Sequence, residues 1–174
     1  VVSDEDRRQQ YYARMLSECQ SMERLVGDLL LLSKMQNPDF LVEKEPVTLQ
    51  QIFHDLRRSA DVIAAEKNIE IVVNQPEKPC TMMADYVRLR QMFVVIVDNA
   101  IKFSDEYGTV EVTLQAQHGG IAVGISNFGP AIPMEERKRI FHKFYQTDRS
   151  HATEGNGVGL VIVRQVVELH GGTV

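Results

Sequence analysis

Only two cysteines occur in the 174 residues, Cys19 and Cys80. They form neither a CxxC pair nor part of a metal-ligand cluster, so a reducing compartment is the default. Long apolar runs are missing as well: nothing approaches the roughly 20 consecutive residues that span a bilayer. Basic residues are in deficit, 19 Lys and Arg against 24 Asp and Glu for a net charge of −5. A nucleic-acid groove needs a basic stripe, and this balance gives no reason to expect one. Internal repeats and low-complexity segments are absent, and with 25% charged and 7% aromatic residues the chain reads as neither disordered nor fibrous. What is there, an apolar fraction of 44%, is enough to fill one core. The chain opens on Val1-Val2-Ser3-Asp4 with no leader architecture and closes on Gly171-Gly172-Thr173-Val174 in what reads as a strand. The expectation is a fragment cut at both ends.

From about Asp4 to Gln36 there is no proline and a single glycine. Tyr12, Met15, Cys19, Met22, Val26, Leu29 and Ser33 follow a 3-4-3-4 spacing, the seam of a coiled coil or helical bundle. Leu16, Leu25, Leu30 and Leu32 widen the stripe toward a second packing partner. Such a rod, about 50 Å at 1.5 Å per residue, is longer than a small domain is wide. Asn37-Pro38 stops it. Helical spacing then runs from Thr48, a plausible N-cap, to about Lys67, with strands expected over Ile69–Val73 and Cys80–Ala84. Asp85 can cap a helix to Phe103. Thr109–Gln115, the turn His118-Gly119-Gly120 and Ile121–Ser126 read as a hairpin. Helices are expected from Met134 to about Phe144 and from Val158 to His170, around an irregular polar stretch from Tyr145 to Asn156. The class that follows is α+β: a mixed sheet with helices on one face, a two-layer sandwich preceded by one long helix.

Three segments carry chemistry. In Gly155-Asn156-Gly157-Val158-Gly159-Leu160, alternate glycines let backbone N–H groups approach a phosphate at a helix start. In Asp98-Asn99-Ala100-Ile101-Lys102-Phe103, Asn99 and Lys102 share a helical face. A carboxamide oxygen suits Mg²⁺, and a Lys beside it neutralises phosphate oxygens. In Ser126-Asn127-Phe128-Gly129-Pro130-Ala131-Ile132, a polar residue at a strand end precedes a glycine over which a ring could lie. Each alone has a bland reading: a glycine turn, a solvated helix face, a loop.

In this order they resemble the catalytic, ATP-binding domain of bacterial sensor histidine kinases, within the gyrase-type ATPases of the Bergerat fold. The N box is matched by Asp98 to Ser104 with its lead-in Asp85 to Gln91, the G1 box by Asn127 to Pro133, and the F box by Arg139 to Tyr145. The G2 box is matched by Gly155 to Leu160, followed by Val161-Ile162-Val163 and His170-Gly171-Gly172. The rod resembles the second helix of the dimerisation bundle. The division is then 1–37 for the bundle helix and 38–174 for the ATP-binding domain, truncated at its C-terminus.

The resemblance implies ATP and Mg²⁺ as ligands, with Asn99 holding the metal and Lys102 on the phosphates. It puts Phe103 against the adenine, Asn127 at the base-reading position, and Gly129, Ala131 and Ile132 along the ring. Gly155, Asn156, Gly157, Val158, Gly159 and Leu160 would close over the phosphates, with Lys143 or Arg149 as further cations. It also implies transfer of the γ-phosphoryl to a His, relay to an Asp of a response-regulator receiver domain, homodimerisation through the bundle, and the cytoplasmic portion of a membrane-anchored bacterial sensor. Three positions depart from the family: Asn127 replaces an Asp, Ala131 a Gly, and Val95 a polar residue. His54-Asp55-Leu56-Arg57-Arg58 looks like an H box but follows the rod and lacks the expected Pro. The acceptor His is therefore expected before Val1, and the fragment is not expected to phosphorylate itself. His118, His142, His151 and His170 read as surface residues. The alternative is a degenerate nucleotide domain serving as a non-catalytic signalling scaffold.

Overall fold

A computed structural model describes residues 4–146 and 155–174. The elements in chain order are α1 (Asp4–Met35), β1 (Glu45–Thr48), α2 (Leu49–Ala65), β2 (Glu70–Asn74), β3 (Thr81–Ala84), α3 (Tyr86–Lys102), β4 (Thr109–Gln117), β5 (Gly120–Asn127) and α4 (Gly159–Leu169). No helix among the described residues is long and apolar enough to cross a membrane.

The main sheet has the order β2-β4-β5, with β2 parallel to β4 and β4 antiparallel to β5. Its two faces follow from alternation. Register aligns Ile71 with Val110, Val73 with Val112 and Val112 with Ile125, so one face is apolar. Val110, Val112 and Leu114 are buried there. The opposite face carries Glu70, Asn74, Glu111 and Thr113, and Asn74 Nδ2 donates to Glu111 Oε1 at 2.6 Å across it. The helices α2 and α3 cover the apolar face.

The mixed sheet is as expected, but the strand at 81–84 does not join it. It pairs with β1, which carries no periodicity of its own, in a separate antiparallel pair tied by Thr48 and Thr81 hydroxyls 3.0 Å apart. Two further expectations fail. The segment from Met134 to Phe144 is a run of turns: Arg139 N–H bonds the Glu136 carbonyl and His142 N–H the Arg139 carbonyl, three residues back, and a single four-residue bond, Ile140 N–H to the Glu136 carbonyl, is not continued. Apolar residues at helical spacing there do not secure successive four-residue bonds, as an α-helix requires. Residues 172–174 form no strand.

Helix α3 is placed by its ends and its buried face. Asp85 Oδ1 accepts from the Arg88 N–H at 3.0 Å, the N-cap expected from the sequence. Leu89, Met92, Phe93, Val97, Ala100 and Ile101 are buried, and the Phe93 and Phe53 rings meet tilted at 4.6 Å between centroids. Thr48, by contrast, makes no side-chain cap for α2. His170 is also not the surface residue expected. Its Nε2 accepts from the Asp85 N–H at 3.0 Å while Nδ1 faces the Val166 carbonyl oxygen at 2.7 Å. One nitrogen must accept and the other must donate, so the neutral ring with Nδ1–H fits. It ties the end of α4 to the start of α3. His54, His118 and His142 are exposed, and His151 lies outside the described residues.

The C-terminal part of α1 belongs to the same core: Leu32 and Met35 are buried with Ile162, Val163 and Val166 of α4. Nearer its N-terminus the expected seam is bare, with Tyr12, Met15, Met22 and Val26 each more than half exposed.

Replacing Asp85 by Ala leaves the Arg88 N–H at the head of α3 without its side-chain partner. A loss of about 1 kcal/mol is expected, read as a fall of roughly 2–4 °C in Tm with no change in secondary structure.

Candidate functional site

On α3 the buried face leaves the opposite one to the solvent side. Val95, Asn99 and Lys102 succeed one another by four and three residues, so they line one stripe of that outer face. The glycine run lies along the stripe. A Cβ built on Gly159 would stand 2.8 Å from Val95 Cγ1, and one on Gly155 would stand 3.0 Å from Lys102 Nζ. Only hydrogen side chains leave this space open. Asn99 lies between, half-buried, and its carbonyl accepts from the Phe103 N–H at 3.0 Å. The first two sequence segments thus meet, with a cation and a carboxamide on one wall and bare backbone on the other.

Gly157 takes φ +65°, and a Cβ there would collide with the Phe144 and Tyr145 backbone. Its carbonyl accepts from the Phe144 N–H at 2.9 Å, while Phe144 itself adopts φ +62° with its ring mostly exposed. A bulky residue in the left-handed region carries local strain. Gln146 Nε2 donates to the Gly155 carbonyl. The turn segment is therefore sewn to the glycine run at two points.

The third segment abuts the other end of the stripe. Phe103, at the C-cap of α3, has its ring 5.1 Å from Lys102 Nζ. Phe128 carbonyl oxygen accepts from the Asp105 N–H at 2.8 Å, which draws the loop across the helix end. Gly129 is needed there because any Cβ would strike the Phe103 carbonyl. On that side Gly129 is covered by the Phe103 backbone. Asn127 is exposed at the end of β5 with Nδ2 toward Gly129, and Ala131 and Ile132 are exposed.

Five sequence candidates remain. Val158 is fully buried in the core, so its side chain is removed from any ligand, and Leu160 is half-buried against the same core. Lys143 Nζ donates to Gln36 Oε1 at 3.3 Å, at the end of α1. Arg149 lies outside the described residues. Asn156 is half-buried within the glycine run.

Sequence reasoning missed the electrostatics behind Asn99. Partial burial raises the carboxyl of Asp98, which still reaches solvent, above its usual 3.8, with the Arg24 guanidinium of α1 drawing it back down. Asp28 of α1 is raised by burial and opposed by Arg24 in the same way. Nothing in the spacing of residues so far apart could announce this meeting.

The chain belongs to the histidine kinase-, DNA gyrase B- and HSP90-like ATPase family, whose profile matches residues 84–174. Within that family it is similar to sensor kinases. It is 29% identical over 95% of its length to the adaptive-response sensory kinase SasA of Crocosphaera subtropica, covering 44% of that protein. It is 30% identical over 99% of its length to the heme sensor protein HssS of Staphylococcus aureus, covering 37%. The crystal structure of full-length ShkA in complex with AMPPNP superposes with a TM-score of 0.80 at 30% identity, over 98% of this chain and 35% of that one. The chain thus spans less than half the length of each.

A carboxyl that holds its proton more tightly folded than unfolded contributes stability below the ordinary value of 3.8, and that contribution is lost as pH rises through the raised value. Asp98→Asn has no proton to lose, so it should gain stability relative to the parent chain between about pH 4 and about pH 7. Urea midpoints at the two pH values check this; a constant difference would contradict the burial.

Proposed function

We propose that this chain binds Mg-ATP between the outer stripe of α3 and the glycine run, as the catalytic domain of a two-component sensor histidine kinase. The observation that carries the reading is the close approach of Gly155 to Lys102 and of Gly159 to Val95, which sets the glycine backbone against the stripe that carries Asn99. The donor set fits magnesium in one way only. The described residues contain no group of three or more His, Cys, Asp or Glu side chains suited to a metal. The ion would rest on the Asn99 carboxamide oxygen and complete its shell with triphosphate oxygens and water, the usual habit of Mg²⁺.

In this reading Lys102 neutralises phosphate oxygens and the N–H groups of Gly155, Gly157 and Gly159 donate to them. Phe103 packs toward the base. Asn127 presents a carboxamide where a carboxylate would give a charge-assisted bond. Bound Mg²⁺ supplies charge neutralisation to the triphosphate. The chain's own work is positioning, which dominates phosphoryl transfer. The γ-phosphoryl would pass to a His on a segment outside this chain and from there to an Asp of a receiver domain. Residues 1–37 would be the second helix of a dimerisation bundle; the exposed Tyr12, Met15, Met22 and Val26 support that, being apolar side chains at heptad spacing with nothing over them. The parent protein would be a homodimer, with this portion on the cytoplasmic side of an anchored sensor.

The second reading, a scaffold that has lost nucleotide, is favoured only by Asn127, Ala131 and Val95. Two substitutions separate them. Asn99→Ala should abolish magnesium-dependent ATP binding in titration calorimetry, and unchanged affinity would remove Asn99 from the metal role. Asn127→Asp should tighten ATP binding roughly tenfold, the worth of charge assistance in one hydrogen bond. No binding by either the parent chain or Asn127→Asp at millimolar ATP would establish the scaffold.

A further inference from the structure

We propose that Lys67 is a positioning residue for the phosphate-facing stripe, an inference that rests on Asn99 and Lys102 being the triphosphate contacts. Lys67 lies between α2 and β2 and belongs to none of the glycine or asparagine segments. Its Nζ is 2.6 Å from the Lys102 carbonyl oxygen and 3.4 Å from those of Ile101 and Ser104. An ammonium has three N–H donors and no acceptor, and three carbonyls converge on this one.

The placement answers a specific problem. The last carbonyls of a helix have no partner within it, and they carry the negative end of its dipole. Asn99 and Lys102 stand in the last turn of α3, so a triphosphate held by them would meet the wrong end of a helix. Phosphate sites elsewhere use helix N-termini for the opposite reason. Lys67 satisfies the orphan carbonyls and offsets their charge. Lys102 is then gripped by its main chain while its own side chain faces Gly155.

The strap itself is fixed. The Lys67 N–H donates to the Ala64 carbonyl at 3.1 Å, and its carbonyl accepts from the Tyr107 N–H at 3.1 Å. The next residue, Asn68, takes φ +54° to turn the chain into β2. The ammonium therefore reaches α3 from a backbone pinned on both sides. Freeing it would let the last turn of α3 fray, displacing Asn99 and Lys102 from the phosphates.

The test compares the 174-residue chain with Lys67→Met and Lys67→Arg, titrated with Mg-ATP and, by chemical shift, with adenosine. Lys67→Met should weaken Mg-ATP about tenfold and adenosine by less than about twofold, and Lys67→Arg should recover most of the loss. Amide exchange at Phe103 and Ser104 should quicken in Lys67→Met while exchange in β4 is unchanged. Equal losses for ATP and adenosine, undiminished ATP affinity, or faster exchange throughout would overturn the assignment. If Lys67→Met does not fold, Lys67→Gln, which keeps two donors without the charge, carries the same comparison. Failure of the parent chain to bind Mg-ATP, or full binding by Asn99→Ala, would sink the functional reading instead. The Phe103 and Ser104 exchange would then still decide whether Lys67 holds the helix end.

Discussion

The structure depends on one partition, the division of α3 into an apolar face and a polar stripe. Leu89, Met92, Phe93, Val97, Ala100 and Ile101 fix the helix against the rest of the core. Burial of side chains of this size contributes roughly 1.5–3 kcal/mol each, far more than a polar contact at the surface. Because the helix cannot rotate without exposing that face, Val95, Asn99 and Lys102 have no choice of direction. The site is a by-product of packing in this sense: hydrophobic burial aims the carboxamide and the ammonium.

Much of this was legible in the sequence. The 3.6-residue period and Asp85 located α3 nearly to the residue, and alternation located β4 and β5. The order of the asparagine and glycine segments was enough to indicate both the family and the pairing of the two walls. Legibility failed where local pattern and tertiary context disagree. Met134 to Phe144 has apolar residues at helical spacing, yet its bonds close separate turns. β1 has four residues, one of them Pro46 and only Val47 buried, too little for any periodicity to register. Val158 sits inside a glycine-rich motif but turns into the core. Gly129 makes room for the Phe103 carbonyl, an approach that no local pattern announces.

The long-range polar contacts were beyond reach for a different reason. Arg24 beside Asp98, Lys67 under the end of α3 and His170 at its start are single residues whose partners lie tens of residues away. Neither period nor spacing encodes such meetings. They nevertheless set the conditions under which the stripe works: one end of α3 is held by an imidazole, the other by an ammonium, and the middle is influenced by a guanidinium from α1.

The joining of Leu32 and Met35 to α4 bears on how the protein is made. These partners are separated by more than 100 residues of chain, and closing so wide a loop carries an entropic cost that only the finished core offsets. During synthesis the apolar end of α1 emerges first and has no native cover until α4 follows. Through that interval a nascent chain exposes a sticky helix end, the condition in which newly made proteins depend on chaperones.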